Sequence, residues 1–262
     1  MARAANLDIE TYNRKRDFSK TAEPKGRKLK GKGDSFVVQK HEASRLHWDF
    51  RLELDGVLKS WAVPKGPSLD PGQSRLAMRT EDHPLDYGDF EGTIPKGEYG
   101  GGTVMLWDQG RWIPEPGKDP KKTIDEGHLH FTLEGERMKG EWVMFRLKPR
   151  GKETRENWIL RKVEDEHAGS PTGLTEKYLT SVKTGRTMNE IAAGDPPRHG
   201  EGDQPRLVEG LARRRQKPLH RAPRGPPPRT GEDLNTPSPP FARPRKRPSS
   251  IPSPPAPAGS TR

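Results

Sequence analysis

Three side chains in the first fifth of the chain, His41, His47 and Asp49, have the types and spacing that hold a divalent cation. The stretch HWDFRLEL, residues 47 to 54, alternates without a break. His47, Asp49, Arg51 and Glu53 share one face of a strand, and Trp48, Phe50, Leu52 and Leu54 the other. Alternate side chains on a strand stand about 6.6 to 7 Å apart, a gap that two side chains and two metal–ligand bonds of about 2.0 to 2.2 Å close. His41 ends the preceding strand-like run, and the intervening EASRL is long enough to turn and return, which places His41 across from His47. Two imidazoles and a carboxylate leave coordination positions open and suit Mn2+, Zn2+, Co2+ or Fe2+. Such a site can polarise a phosphate oxygen or lower the pKa of a bound water. Arg51, next on the same face, is placed to clamp a tetrahedral oxyanion through charge-assisted hydrogen bonds.

A second stretch, RLAMRTEDHPLDYG, carries groups of the same kind. Arg75, Arg79 and Glu81 share one parity, His83 follows just past the strand end, and Tyr87 lies four residues on in a loop bounded by Pro and Gly. His83 is a candidate to donate a proton to a leaving oxygen or to hydrogen-bond a phosphate. Lys65, held between a proline and a glycine in AVPKGPS, is a candidate third cation. Alternation of this sort usually marks a solvated outer face, but such faces mix Lys, Glu, Thr and Ser, which are sparse here. HLHFTLE pairs His128 with His130 without a basic clamp nearby and reads as a hydrated strand face. PKGEYGGGT lacks the Gly-Lys-Ser/Thr order of a P-loop and reads as a tight loop into a strand. There is no thiol and no Gly-x-Ser-x-Gly elbow. His167, His199 and His220 sit in polar or tail sequence and read as inert.

The elements that must position these groups are short strands. Eight runs qualify: residues 35–40, 47–54, 57–63, 75–82, 103–107, 128–134, 141–147 and 157–163, separated by Gly, Pro and Asp clusters. Asp55-Gly56 joins the second to the third with the strongest short hairpin signal. The expectation is a mainly β fold, a compact, closed or nearly closed antiparallel β-barrel. Short helices flank it, one around LDIETYNRKRDFSK and one, or an extended strap, in LTSVKTGRTMNEIAAGD.

Charge and composition divide the chain into a basic N-terminal arm (1–32), a barrel domain (33–190) and a Pro/Arg-rich tail (191–262). All six tryptophans lie between Trp48 and Trp158, whereas 17 of the 28 prolines and a single aromatic, Phe241, fall from Pro196 onward. Such a tail cannot bury enough apolar surface to fold and reads as disordered. The net charge of +11 resolves into +6 for residues 1–32, +9 for 196–262 and −4 between them. Basic ends on an acidic body favour a polyanion such as nucleic acid. The absence of cysteine excludes disulfides and thiolate zinc sites. No apolar run approaches the ~20 residues of a membrane helix and no leader opens the chain, so the expectation is a soluble cytoplasmic protein without a membrane partner.

The two long motifs FVVQKHEASRLHWDFRLELDGVLKSWAVPKGPS and RLAMRTEDHPLDYGDFEGTIPKGEYGGG closely resemble the 3′-phosphoesterase domain of LigD-type bacterial DNA end-joining proteins. The likeness runs from YNRKRDFSKTAEP, starting at residue 12, to LTSVKTGRTMNEIA, ending at residue 192. It implies a Mn2+-holding barrel that removes a 3′-terminal ribonucleoside and then the 3′-phosphate, leaving a 3′-hydroxyl. By this resemblance His41, His47 and Asp49 bind Mn2+, with Co2+ or Zn2+ as other divalent ions. Arg51, His83 and Tyr87 hold the phosphate, supported by Lys65, Arg75, Gln39 and Glu81. Arg16, Asp17 and Glu23 serve the ribonuclease step. The implied substrates are DNA 3′ ends, with Ku and a separate DNA ligase as partners, because no Lys-x-Asp/Asn-Gly ligation motif follows. Three alternatives stand beside this reading: a non-catalytic DNA-end-binding module, a domain keeping only the monoesterase step, and a cupin-like oxygenase using Fe2+, which the surrounding Arg, Lys and Tyr fit poorly.

Overall fold

Asp55 and Gly56 both take the left-handed backbone region, at φ of 54° and 77°, as a two-residue hairpin turn requires. That turn joins β2 (Leu46–Leu54) to β3 (Val57–Val63) in the register Leu54↔Val57 through Trp48↔Val63. The computed structural model describes residues 7–151, 153, 155–169 and 173–196. Upstream, β1 (Ser35–Glu42) pairs antiparallel with β2. Downstream come β4 (Arg75–Arg79), β5 (Gly92–Ile94), β6 (Gly102–Pro114), β7 (His128–Gly135), β8 (Lys139–Arg146) and β9 (Asn157–Lys162). Neighbours run β1-β2-β3-β4-β9-β8-β7-β6, and β6 pairs back to β1, closing an eight-strand antiparallel barrel; the short β5 adds to the start of β6. The β1–β6 register shifts at Val38/Gln39, a bulge of the kind that bends long strands around barrel corners. The expected eight strands are all present, while β5 and the helix α2 (Pro120–Glu126) go beyond them.

Two apolar layers hold the barrel. Its interior is filled by Phe36, Val38, Trp48, Phe50, Leu52 and all five other tryptophans. The second layer lies outside β1–β3, where Val37, Val57, Leu58 and Leu106 pack against Ile9, Tyr12 and Tyr87. Ile9 and Tyr12 belong to α1 (Ile9–Arg14), capped by the Asp8 side chain, which accepts from Thr11 N at 3.0 Å. Tyr87 sits on a single 3-10 turn, Leu85–Asp89. Residues that charge alone marks as an arm therefore run against the barrel, with Tyr12 fully buried. This answers what covers the charged face of β2: Asp49, Arg51 and Glu53 are all buried, beneath the N-terminal segment and the 81–90 loop. Glu53 serves the fold, since its carboxylate accepts from Gly33 N at 2.8 Å and from Ser35, fixing the chain as it enters β1. The short helix expected near the C-terminal end is α4 (Met188–Ala193), closed by a Thr187–Glu190 capping box, and α3 (Leu174–Lys177) precedes it. Among the described residues, no helix is long and apolar enough to cross a membrane. His199 and His220, and nearly all of the expected tail, lie outside the described residues.

Candidate metal centre and its basic pocket

The register of β1 on β2 sets His41 opposite His47 and Gln39 opposite Asp49, so all four side chains share the covered face. One ligand atom from each of His41, His47 and Asp49 lies within 4.8 Å of the others. His41 Nδ1 stands 3.6 Å and His47 Nε2 3.7 Å from Asp49 Oδ2. Each ring is pinned through its other nitrogen. His41 Nε2–H donates to the Gly100 carbonyl at 2.8 Å, and His47 Nδ1–H donates to the Arg45 carbonyl at 2.9 Å. A carbonyl behind the ring fixes the tautomer and leaves a bare nitrogen facing the ion, the usual arrangement behind a metal-ligating histidine. Two lone pairs and a carboxylate thus converge on one point, an arrangement that repels itself without a cation. The donor set therefore fits a divalent metal. Burial works against ionised Asp49, but Arg51, joined by the two histidines when they are protonated in place of a metal, outweighs it and holds its carboxyl well below the usual range.

Arg51, next on the same face, is almost wholly buried. Its Nε donates to Gln39 Oε1 at 2.8 Å and its Nη2 to Asp49 Oδ2 at 3.1 Å, while Nη1 faces His83 Nδ1 at 2.9 Å. Its guanidinium carbon stands 5.0 Å from the Tyr87 ring centroid. Gln39, with no exposed surface, ties this clamp to the 3-10 turn by donating from Nε2 to the carbonyls of Tyr87 and Phe90, both at 2.9 Å. Of the five N–H groups of a guanidinium, the three contacts named engage three. One hydrogen on each terminal nitrogen has no protein acceptor among the described contacts.

His83 is wedged between two arginines. Its Nδ1 lies 2.8 Å from the Glu81 carbonyl and 2.9 Å from Arg51 Nη1, and its Nε2 lies 3.4 Å from Arg16 Nη2. Protonated at Nδ1, the ring donates to the carbonyl and opposes Arg51; bare there, it accepts from Arg51 and opposes the carbonyl. Burial first, then Arg51 and Arg16, push its pKa well below the ordinary histidine value, so the ring is neutral. Burial and Glu23 likewise push the Tyr87 hydroxyl well above its usual range.

The second arginine comes from the N-terminal segment. Arg16 stacks on Tyr12 with its guanidinium carbon 3.7 Å from the ring centroid. It pairs with Glu23 at 2.8 Å and Glu81 at 3.2 Å, all three side chains being buried. Tyr12 donates its hydroxyl to the Pro24 carbonyl at 2.7 Å and meets the His83 ring edge-on at 5.0 Å. Lys15 reaches Glu81 at 2.9 Å and the Tyr99 hydroxyl at 3.0 Å.

His41, His47, Asp49, Arg51, Gln39, Glu81, His83, Tyr87, Arg16 and Glu23 thus form one contiguous cluster. Three candidates stand apart from it. Lys65 is exposed in the turn after β3, at the barrel end where β2 begins. Asp17 is exposed and uses its carboxylate on Ser19 and Lys20 within its own turn. Arg75 aligns with Leu160, and Arg79 with Trp61, so both lie on the interior-facing side of the sheet; the Arg79 guanidinium lies 4.7 Å from the Trp61 ring centroid. The shared parity of Arg75, Arg79 and Glu81 is broken because β4 ends at Arg79; Thr80 N still bonds Ser60 O, but the chain then carries one extra residue before it pairs with β3 again at Leu58↔His83. Tyr12, Lys15, Tyr99 and the Gly100 carbonyl are site members that the spacing of charged residues does not reveal. His128 is exposed, and His130 faces Glu141 at 3.2 Å on the hydrated side of β7.

Residues 39–146 match the family model described as the DNA Ligase D 3′-phosphoesterase domain. That span contains the metal triad, Arg51, His83, Tyr87 and Tyr99, while Tyr12, Arg16 and Glu23 precede it. The multifunctional non-homologous end joining protein LigD of Pseudomonas aeruginosa is 49% identical over 202 residues, covering 75% of this chain and 23% of that protein. The protein of the same name from Mycolicibacterium smegmatis is 41% identical over 178 residues, 66% of this chain and 23% of the relative. The multifunctional non-homologous end joining DNA repair protein LigD of Mycobacterium tuberculosis is 42% identical over 160 residues, 60% of this chain and 20% of the relative. The matched region is thus about a quarter or less of each of these relatives' length.

Proposed function

Because the chain carries a domain of the DNA Ligase D 3′-phosphoesterase family, we propose that it is a metal-dependent phosphoesterase that heals DNA 3′ ends during non-homologous end joining. The observation that carries this reading is the pairing of two carbonyl-pinned imidazoles and Asp49 with the half-used guanidinium fork of Arg51. A divalent cation, Mn2+ by the family resemblance, supplies Lewis-acid charge to a phosphoryl oxygen. The chain's own residues do the rest. The spare N–H groups of Arg51 bind two non-bridging oxygens and stabilise charge that builds in the transition state. Gln39 and the Tyr87 ring keep the fork aimed. Negative charge on a bound phosphate offsets the Arg51 and Arg16 charges that, together with burial, hold His83 neutral. The ring can then carry the proton that the departing oxygen needs as the phosphorus–oxygen bond breaks.

In the first step water adds to phosphorus and the bond to the terminal ribonucleoside's 5′ oxygen breaks, leaving a 3′-phosphate. In the second water adds again and the bond to the strand's 3′ oxygen breaks, releasing inorganic phosphate and leaving a 3′-hydroxyl fit for sealing. The Arg16–Glu23 pair walls the pocket on the side the first step requires, and Asp17 and the exposed Lys65 reach the substrate from its edge. Ku and a DNA ligase activity are what this reading calls for, and a cytoplasmic location accords with it. Incubation of a 5′-labelled primer–template ending in one ribonucleotide, with Mn2+, tests the reading. The expected products are a strand shortened by one nucleoside with a 3′-phosphate, then the 3′-hydroxyl form. Folded protein that yields neither overturns it.

A further inference from the structure

Among the described tyrosines of the site, Tyr99 is the one that faces water. Tyr12 and Tyr87 are buried, whereas Tyr99 is 47% exposed. Yet its tip is held: the hydroxyl lies 3.0 Å from Lys15 Nζ and 3.5 Å from Glu81 Oε2. Lys15 Nζ stands 4.6 Å and the Arg16 guanidinium carbon 5.4 Å from its ring centroid. The next residue, Gly100, supplies the carbonyl that orients His41. The ring is therefore locked between the metal triad and the Arg16 network while still presenting apolar surface to solvent. A ring fixed in place before binding loses little entropy on contact, which is what a stacking surface needs. Every nucleobase offers a π-face to such a ring, and neighbouring cations strengthen the contact.

We propose that Tyr99 stacks on the nucleoside that departs from the 3′ end, and so sets the preference of this pocket for a nucleoside-terminated strand. The inference rests on the phosphoesterase reading and names its leaving-group subsite. Topology selects the departing nucleoside over the strand that stays. The metal-bearing strands β1 and β2 lie in the middle; the loop with Tyr99 enters β6 on one side and the turn with Lys65 leaves β3 on the other. Exposed Lys65, together with Arg45 in the β1–β2 turn, suits the phosphates of the retained strand. The aromatic on the opposite side suits a single neutral nucleoside.

Two measurements decide it. In the first, a primer–template ends in ribo-2-aminopurine, with EDTA present to stop turnover. Wild type and Tyr99→Phe quench its fluorescence on binding, and Tyr99→Ala and Tyr99→Leu do not. In the second, with Mn2+, ribonucleoside removal falls about 5- to 160-fold in the Ala and Leu variants, the range that base–aromatic stacking spans. Removal of a 3′-phosphate from a matched strand falls far less, and Tyr99→Phe restores both. Equal losses on the two substrates, quenching that survives in Tyr99→Ala, or a Phe variant as impaired as Ala would each overturn the proposal. The last result would assign Tyr99 to holding Lys15 and Glu81 through its hydroxyl. If wild type removes neither group, the phosphoesterase reading fails, and the quenching measurement still decides whether the ring stacks.

Discussion

Replacing Gln39 with leucine separates aiming from metal binding, because Gln39 touches the clamp and no ligand-pinning carbonyl. The substitution removes three hydrogen bonds from a side chain with no exposed surface. The Phe90 carbonyl and Arg51 Nε lose the partners named here, while the Tyr87 carbonyl keeps its bond from Phe90 N at 3.0 Å. At about 1–3 kcal/mol for each buried group left unsatisfied, the two orphaned groups and the weakened third together cost about 3–5 kcal/mol. For a domain of this size about 1 kcal/mol moves the midpoint by about 2–4 °C, so the melt falls by about 6–20 °C. The functional consequence is larger than stability alone suggests. With Nε released, the fork of Arg51 can turn, and a displacement of about 1 Å at a reacting phosphate is enough for a loss of about 100-fold. Removal of 3′-phosphate, assayed below the new midpoint, should fall by about that factor, whereas Mn2+ affinity should change far less, since the two histidines keep their own carbonyl partners and Asp49 feels only the altered Arg51 contact. Gln39→Glu supplies the contrast. It keeps an acceptor for Nε, now charged, and sets a carboxylate against two carbonyls. It should therefore lose stability comparably and rate much less. A Leu variant that keeps wild-type turnover, or one whose metal affinity collapses in step with its rate, would refute the aiming role.

Three further outcomes follow from the geometry. His47→Ala and Asp49→Asn each break the convergence of ligands on one point, so calorimetry should record Mn2+ binding in wild type and none in either variant; unchanged isotherms would remove the metal centre. Glu23→Gln breaks a buried pair with Arg16 and should lower the melting midpoint by the equivalent of about 3–5 kcal/mol, whereas Asp17→Asn, exposed in its own turn, should leave it unmoved; if Asp17→Asn nonetheless abolishes ribonucleoside removal, Asp17 acts on the substrate directly. The buried, neutral His83 ring declines a proton that the unfolded chain takes up below about pH 6.5. Metal-free stability should therefore fall as pH drops from about 7 to 5, by up to about 1.4 kcal/mol per pH unit for one proton. His83→Gln should flatten that slope in denaturant titrations, and a slope of wild-type steepness would show that the ring does not titrate as its burial demands.

Much of this site is legible in the sequence because a strand has a period of two and a hairpin has a register. HWDFRLEL places His47, Asp49 and Arg51 on one face by alternation alone, and Asp55-Gly56 fixes the pairing with β3. What alternation cannot reveal is what covers that face. The N-terminal segment reads as a basic arm because its lysines and arginines outnumber its acids, but Ile9, Tyr12 and Phe18 decide where it packs. Parity also misleads past a strand end. Arg79 and Glu81 share it in the sequence, yet the pairing with β3 slips by one residue between Thr80 and His83, so one lies over Trp61 and the other joins Arg16. The loop PKGEYGGG looks silent when tested only as a phosphate cradle. Its part is to set the Gly100 carbonyl behind His41, with φ of 78° at that glycine, and this depends on β6 lying beside β1, a pairing between segments some 60 residues apart.

The charge balance of the cluster argues for the order of the two proposed steps. Lys15, Arg16 and Arg51 face Glu23, Glu81 and Asp49, three cations against three carboxylates, and contacts of 2.8 to 3.4 Å link Asp49 through Arg51, His83 and Arg16 to Glu23. With His83 neutral, the protein groups alone sum to zero, so a divalent cation on the triad leaves two positive charges among mostly buried side chains. A phosphodiester carries one negative charge and leaves an imbalance, whereas a terminal phosphate near neutral pH carries close to two and removes it. The product of ribonucleoside removal is therefore the better electrostatic match. The diester, lacking that match, depends more on contacts to its departing nucleoside, on the side of the pocket where Tyr99 and the N-terminal segment stand. On the proposed reading, a site built this way would hold the 3′-phosphate it has just made and favour its hydrolysis over its release.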